Sequence, residues 1–114
     1  LISDLYLIDK LIDGPQILKS EVSYDVNTLI TGGDYSEENS LLALVGYSSR
    51  GDQHLILFNE FEISNLDNNN FIKYKIPLKQ AQIEAIKIID EKTFWITSED
   101  EGIGSPFMYK IVVE

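Results

Sequence analysis

The chain is cut into short apolar runs by turn-forming residues at nearly regular intervals, and this constrains the fold more than any single motif does. Apolar stretches fall at 5–8, 17–22, 29–35, 41–47, 55–58, 71–76, 83–89, 94–97 and 107–113. Between them lie Asp13-Gly14-Pro15 and the polar stretches 36–40, 48–53, 65–70, 90–92 and 101–106. Segments of this length, bounded by Gly, Asn, Asp, Ser and Pro, read as antiparallel strands joined by turns. Residue choice agrees: Ile occurs 16 times and Ala three times. β-branched side chains are restricted in helices and pack well on a pleated surface. One stretch is ambiguous. In 79–90, Ile83 and Ile86 sit at helical spacing among Gln, Ala, Glu and Lys, all good helix formers. It is read here as a strand over 83–89, because it occupies the place of 29–35 in an internal repeat.

That repeat has a period near fifty residues. Residues 5–9 (LYLID) match 55–59 (LILFN), and Met108-Tyr109-Lys110-Ile111 opens a third copy. Residues 30–34 (ITGGD) correspond to 83–87 (IEAIK), and 42–47 to 94–99. Four strands in about fifty residues is the content of a β-propeller blade. The expected fold is therefore all-β, with antiparallel four-stranded propeller-type blades. Residues 1–28 end a preceding blade, 29–78 form a full one, and 79–114 form most of a following one. Gly32 and Gly33 fall on the proposed innermost strand, where blades crowd together, and Pro77 ends the outermost, where a missing N–H breaks no ladder bond. Propellers close with about four to eight blades. A chain of 114 residues thus takes its remaining blades from a longer chain or from self-association, unless the strands close instead as a small barrel or sandwich.

Composition removes several function classes. With no Cys, disulfides, zinc–thiolate centres and thiol nucleophiles are excluded. Nineteen acidic residues against nine basic ones give a net charge of −10, which repels a phosphate backbone, so nucleic acid is not an expected partner. No apolar run is long enough for a membrane-spanning helix. His54 is the only histidine, which rules out His-based metal triads. Residues 46–50 (GYSSR) miss the nucleophile-elbow pattern, because Arg50 stands where Gly is needed. Gly102-Ile103-Gly104 is too short for a dinucleotide fingerprint, and Arg50-Gly51-Asp52 reads as a hairpin loop. One constellation carries chemistry. A hairpin turning at 90–92 would set Glu84 opposite Ser98 or Glu99, with Asp100 next in the chain. Carboxylates held together repel unless a cation or a proton is shared between them, and clustered carboxylate oxygens suit Ca²⁺. Glu84, Glu99 and Asp100 are thus the candidate metal ligands, set against the simpler reading of a solvated acidic loop end. Thr31, Tyr47 and Trp95 are the candidate channel- or ligand-facing residues.

The stretches ITGGDYSEENSLLALVGYSS, HLILFNEF, QIEAIKIIDEKTFWITSED and FMYKIVVE resemble the last blades of secreted bacterial β-propeller proteins of Bacteroidetes. QIEAI…WITSE is also similar to the EGI…SE pattern of esterase-like phytase propellers, with Ala85 where that pattern has Gly. The resemblance implies a secreted, periplasmic or cell-envelope protein, although no export signal precedes the domain in this sequence. It implies a non-catalytic module binding a protein or small molecule, or alternatively a calcium-dependent hydrolase of phytase or lactonase type. A small barrel holding an apolar ligand is the third alternative.

Overall fold

A computed structural model describes residues 1–8, 10–66, 70–78, 82–99 and 106–114. Among them are nine strands: β1 Ile2–Leu5, β2 Val22–Asp25, β3 Leu29–Ser36, β4 Leu41–Tyr47, β5 Gln53–Asn59, β6 Ile72–Ile76, β7 Gln82–Ile88, β8 Thr93–Glu99 and β9 Met108–Val112. All pairing is antiparallel, in three sheets ordered β1-β2, β3-β4-β5-β6 and β7-β8-β9. No helix long and apolar enough to cross a membrane occurs among the described residues. The ambiguous segment is extended: Gln82–Ile88 is a strand, and its burial alternates with a period of two along Ala85–Ile88. The sheets do not close on one another, so the barrel alternative is set aside.

Two strands differ from expectation. The runs 5–8 and 17–22 are not the strands; pairing instead joins Ile2–Leu5 to Val22–Asp25. Tyr6, Leu7, Ile8, Ile17 and Leu18 are exposed. Alternation outweighs run length here. Val22, Tyr24 and Val26 recur every second residue and pack on the next sheet, whereas the 17–22 run is interrupted by Lys19, Ser20 and Glu21. Asn27, in the left-handed region at φ 49°, turns the chain out of β2 toward β3.

The three sheets stack face to face, with the four-stranded sheet in the middle. One of its faces presents Leu41, Ala43, Val45, Leu55, Leu57 and Ile76 to Ile83, Ile86, Ile88, Phe94 and Ile96 of the three-stranded sheet. Its other face presents Ile56 and Phe58 to Tyr24 and Val26 of the two-stranded sheet, closed off by Phe61. The Phe58 ring lies 4.8 Å from that of Tyr24 and 5.9 Å, edge-on, from that of Phe61. Strand β5 (QHLILFN) is buried on both faces, which explains its unbroken apolar centre. Each fully buried Leu, Ile or Phe contributes about 1.5–3 kcal/mol relative to exposure, so the two interfaces are the main source of cohesion.

The two inner hairpins pair alike. In β3–β4 the register shifts between Ile30 and Gly32, leaving Thr31 as the extra residue of a bulge. In β7–β8 it shifts between Ile83 and Ala85, leaving Glu84 as the extra residue. Beyond each bulge Gly33 pairs with Leu44, and Ile86 with Ile96. Strand β7 lies against β3 and β4, and Gly32 marks the closest approach. A Cβ at this position would stand 2.6 Å from the Glu84 carbonyl oxygen and 3.0 Å from Ala85 Cα. Gly46 is required for a similar reason, since its Cβ would fall 1.9 Å from the Leu29 carbonyl oxygen.

Candidate functional site

The carboxylates singled out from the sequence do not face each other in the register expected. Because Glu84 is the extra residue of the β7 bulge, the residue opposite Glu99 is Gln82, and Ser98 pairs with Ile83. A bulge displaces by one residue everything on its N-terminal side, and a single-residue slip decides which side chains stand opposite. Glu84 is half-buried and Glu99 is exposed; Asp100 lies outside the described residues. Among the described residues no group of three or more His, Cys, Asp and Glu side chains is placed to hold a metal ion.

Thr31 and Tyr47 are brought to the same inter-sheet seam, where their polar atoms are already engaged. The Thr31 hydroxyl donates to the Ile83 carbonyl, with the Val45 carbonyl also within 3.4 Å. The Tyr47 hydroxyl accepts a bond from the Gln82 amide at 3.3 Å. Trp95 stands apart from both. It pairs with Lys87 and Lys110, on the face of its sheet turned away from the middle sheet, and is 37% exposed.

Two polar residues of this seam carried no weight in the sequence reading. Gln53, 4% exposed, accepts the Ile83 N–H at 3.1 Å and donates to the Gly51 carbonyl at 3.3 Å. Asp34 accepts the Ile88 N–H at 2.8 Å and pairs with the Lys87 ammonium at 3.0 Å. Burial alone would raise the Asp34 carboxyl. The N–H of Ile88, the Lys87 ammonium and the N–H of Tyr35 outweigh it, and together they hold the group below its ordinary value. Both residues satisfy N–H groups of β7, an edge strand of its sheet, that β8 does not engage. The available signal was a polar side chain at an inward position: Gln53 opens a strand buried along most of its length, and Asp34 precedes Tyr35 on the strand that crowds β7.

His54 is half-buried on the other face of the middle sheet. Its Nδ1 lies 3.2 Å from the Thr28 hydroxyl, which itself donates to the Val26 carbonyl. Lys73 donates to the Val26 carbonyl at 2.9 Å and to the Asn27 carbonyl at 3.3 Å, pinning the link between β2 and β3. Burial depresses the His54 pKa and the neighbouring Lys73 and Lys75 add to the effect, while Asp52 opposes it. The Arg50-Gly51-Asp52 tip is a closed loop. Ser48 N–H donates to the Asp52 carbonyl, Gly51 sits at φ 82°, and Asp52 is paired with Lys75 at 2.9 Å.

An open polar cleft of about 380 Å³ lies where the turn after β3 meets the chain after β5, lined by Ser40, Glu60, Glu62 and Asn65. Ser40 and Glu60 both adopt left-handed backbone, at φ 46° and 55°, and the Ser40 carbonyl accepts the Phe61 N–H at 2.8 Å. The cleft offers oxygen atoms to a solute but no nucleophile–base pair. Its acceptor-rich lining suits a donor-rich or cationic solute, whereas the Thr31–Gln53–Asp34 seam spends its polar atoms on holding two sheets together. No family model, curated protein or solved structure matches the chain.

Proposed function

We propose that the chain is a run of β-propeller blades acting as a non-catalytic binding or interaction module of an exported bacterial protein. In this reading the β1-β2 sheet is the outer part of one blade, β3-β6 a complete blade, and β7-β9 most of the next. The observation that carries it is the shared pairing scheme: β3–β4 and β7–β8 bear the same one-residue bulge, and their sheets stack face to face. The outer strands agree, because Val22, Tyr24 and Val26 recur as Ile72, Tyr74 and Ile76, each fifty positions on. Tyr24 pairs with Ser3 just as Tyr74 pairs with Leu55. Export, and the supply of further blades by a longer chain, rest on the resemblance described above. The ligand-binding barrel has lost its fold, and the calcium-dependent hydrolase is the rival to be tested.

Two experiments decide between them. In an experimental structure of the chain within its parent protein, successive sheets should be related by one constant rotation about a common axis; unequal rotations would sink the blade reading. Function is tested by thermal melting with and without calcium, alongside assays on phosphate esters and lactones. A calcium site would raise stability by about 1.4 kcal/mol at ten times its Kd. The expected results are an unchanged melting temperature at millimolar Ca²⁺ and no turnover. A rise that Glu84→Gln and Glu99→Gln abolish would replace the binding-module reading with the hydrolase.

A further inference from the structure

Polar contacts at the joint between the two-stranded and middle sheets converge on one carbonyl. That of Val26 accepts the Thr28 hydroxyl at 3.1 Å and the Lys73 ammonium at 2.9 Å, and the same ammonium reaches the Asn27 carbonyl at 3.3 Å. Thr28 is 1% exposed. Its single hydroxyl proton goes to Val26, so its oxygen accepts from His54, whose Nδ1 lies 3.2 Å away. The neutral ring therefore carries its proton on Nδ1 and takes a second one on Nε2.

The charges around the ring are unevenly matched. Lys75 stands opposite His54 on β6 and is paired with Asp52 at 2.9 Å. Lys73, on the same strand, has two carbonyls but no carboxylate partner among the described residues. Arg50 lies with Asp52 in the loop before β5, β4 offers only Gly46 opposite the ring, and the link 26–28 has no ionisable side chain. Asp25, just before the link, is held by the terminal ammonium of Leu1 at 3.8 Å. Burial disfavours an ionised ring here, Lys73 and Lys75 add to that, and Asp52 opposes it.

We propose that His54 is a proton-operated latch on this joint: an imidazolium formed beside Lys73 favours lifting of the two-stranded sheet from the middle one, which returns the ring to water. Lifting also carries the Val26 and Asn27 carbonyls away from Lys73 and uncovers Ile56 and Phe58. His54 is the only histidine, and histidine is the side chain whose ordinary charge change falls at mildly acidic pH. The strands β1 and β2 have four residues each, and a two-stranded hairpin alone is marginal in water. A lifted sheet therefore exchanges its amide protons.

Amide hydrogen exchange on the full chain, read by NMR between about pH 7 and 5 and corrected for the intrinsic rate at each pH, tests this. Amides of the β1–β2 ladder should be less protected than the best-protected amides of β5, because a sheet that leaves alone opens more readily than the whole chain unfolds. Their protection should fall below about pH 6.5, by about tenfold for each unit separating the unfolded from the folded pKa, and level off where the folded ring titrates. His54→Gln should hold it constant over the same range. Lys73→Met should lower it at neutral pH and shrink the fall on acidification. Ladder protection equal to that of β5, protection that does not change with pH, or a fall as large in His54→Gln as in wild type would each overturn the proposal. Should His54→Gln not fold, Lys73→Met decides: an undiminished fall in that variant would remove the latch.

Discussion

Replacing Gly32 by Ala adds one methyl group where the structure has no room for it. The new Cβ would stand 2.6 Å from the Glu84 carbonyl oxygen and 3.0 Å from Ala85 Cα, both backbone atoms of the facing strand. Ordinary contact begins at 3.4 Å, so β3 and β7 would have to part by about 0.8 Å, which well-packed interiors resist. Overpacking of this kind costs about 1–3 kcal/mol. Parting the strands also stretches the bonds from Thr31 and Gln53 to Ile83, each worth about 0.5–1.5 kcal/mol. A total near 3 kcal/mol lowers the melting temperature of a domain this size by roughly 10–15 °C. Gly33→Ala is the matched control. Its Cβ would meet the Leu44 Cδ2 atom at 2.8 Å, the far end of a side chain that can rotate. Ala in place of Gly within a strand recovers about 0.5–1 kcal/mol of backbone entropy, so this variant should melt within about 3 °C of wild type. Thermal unfolding followed by circular dichroism reads both. Equal melting temperatures for the two variants would refute the close approach of β3 to β7 and the sheet stacking built on it.

Gln53→Leu should cost about 1–3 kcal/mol in chemical denaturation, because it leaves the buried Ile83 N–H without an acceptor; an unchanged midpoint would show that this N–H finds another partner. Asp34 has a folded-state pKa below its unfolded value, so its stabilisation is present above about pH 4 and is lost as the pH falls through the folded pKa. Asp34→Asn should therefore flatten the acid limb of the stability curve. His54 is depressed in the opposite chemical sense: the unfolded chain binds its proton first, so stability should decline as the pH drops below about 6.5 and level off below the folded pKa. His54→Gln should remove that step, read as midpoint denaturant concentration between about pH 7.5 and 5.

The features legible in the sequence were those set by side-chain periodicity. The short apolar runs separated by Gly, Asp and Asn placed β3 to β9 within a few residues, and the internal alignment that set Ile83 opposite Ile30 also resolved the helix-or-strand ambiguity of 79–90. Run length misleads at β1 and β2, where the contiguous apolar residues at 5–8 and 17–22 are more conspicuous than the alternation Val22, Tyr24, Val26 that the buried face requires. The site was less legible for a different physical reason. Which residue faces Glu99 depends on a one-residue bulge, which shifts every pair on its far side and leaves no mark in the apolar periodicity. Gln53 and Asp34 were invisible in the same way, since their partners are backbone N–H groups on another sheet and backbone groups carry no sequence signal.

Those partners give the stacking its specificity. Apolar faces attract each other without direction, and two sheets rich in Ile and Leu could slide by a residue at small cost to the buried area. Strand β7 prevents this. Its Ile83 carbonyl is held by Thr31, its Ile83 N–H by Gln53 and its Ile88 N–H by Asp34, so three side chains of the middle sheet fix one strand at two points five residues apart. A slip of one residue would leave a buried N–H without its acceptor, at about 1–3 kcal/mol, and would drive the Gly32 position against a different part of the β7 backbone.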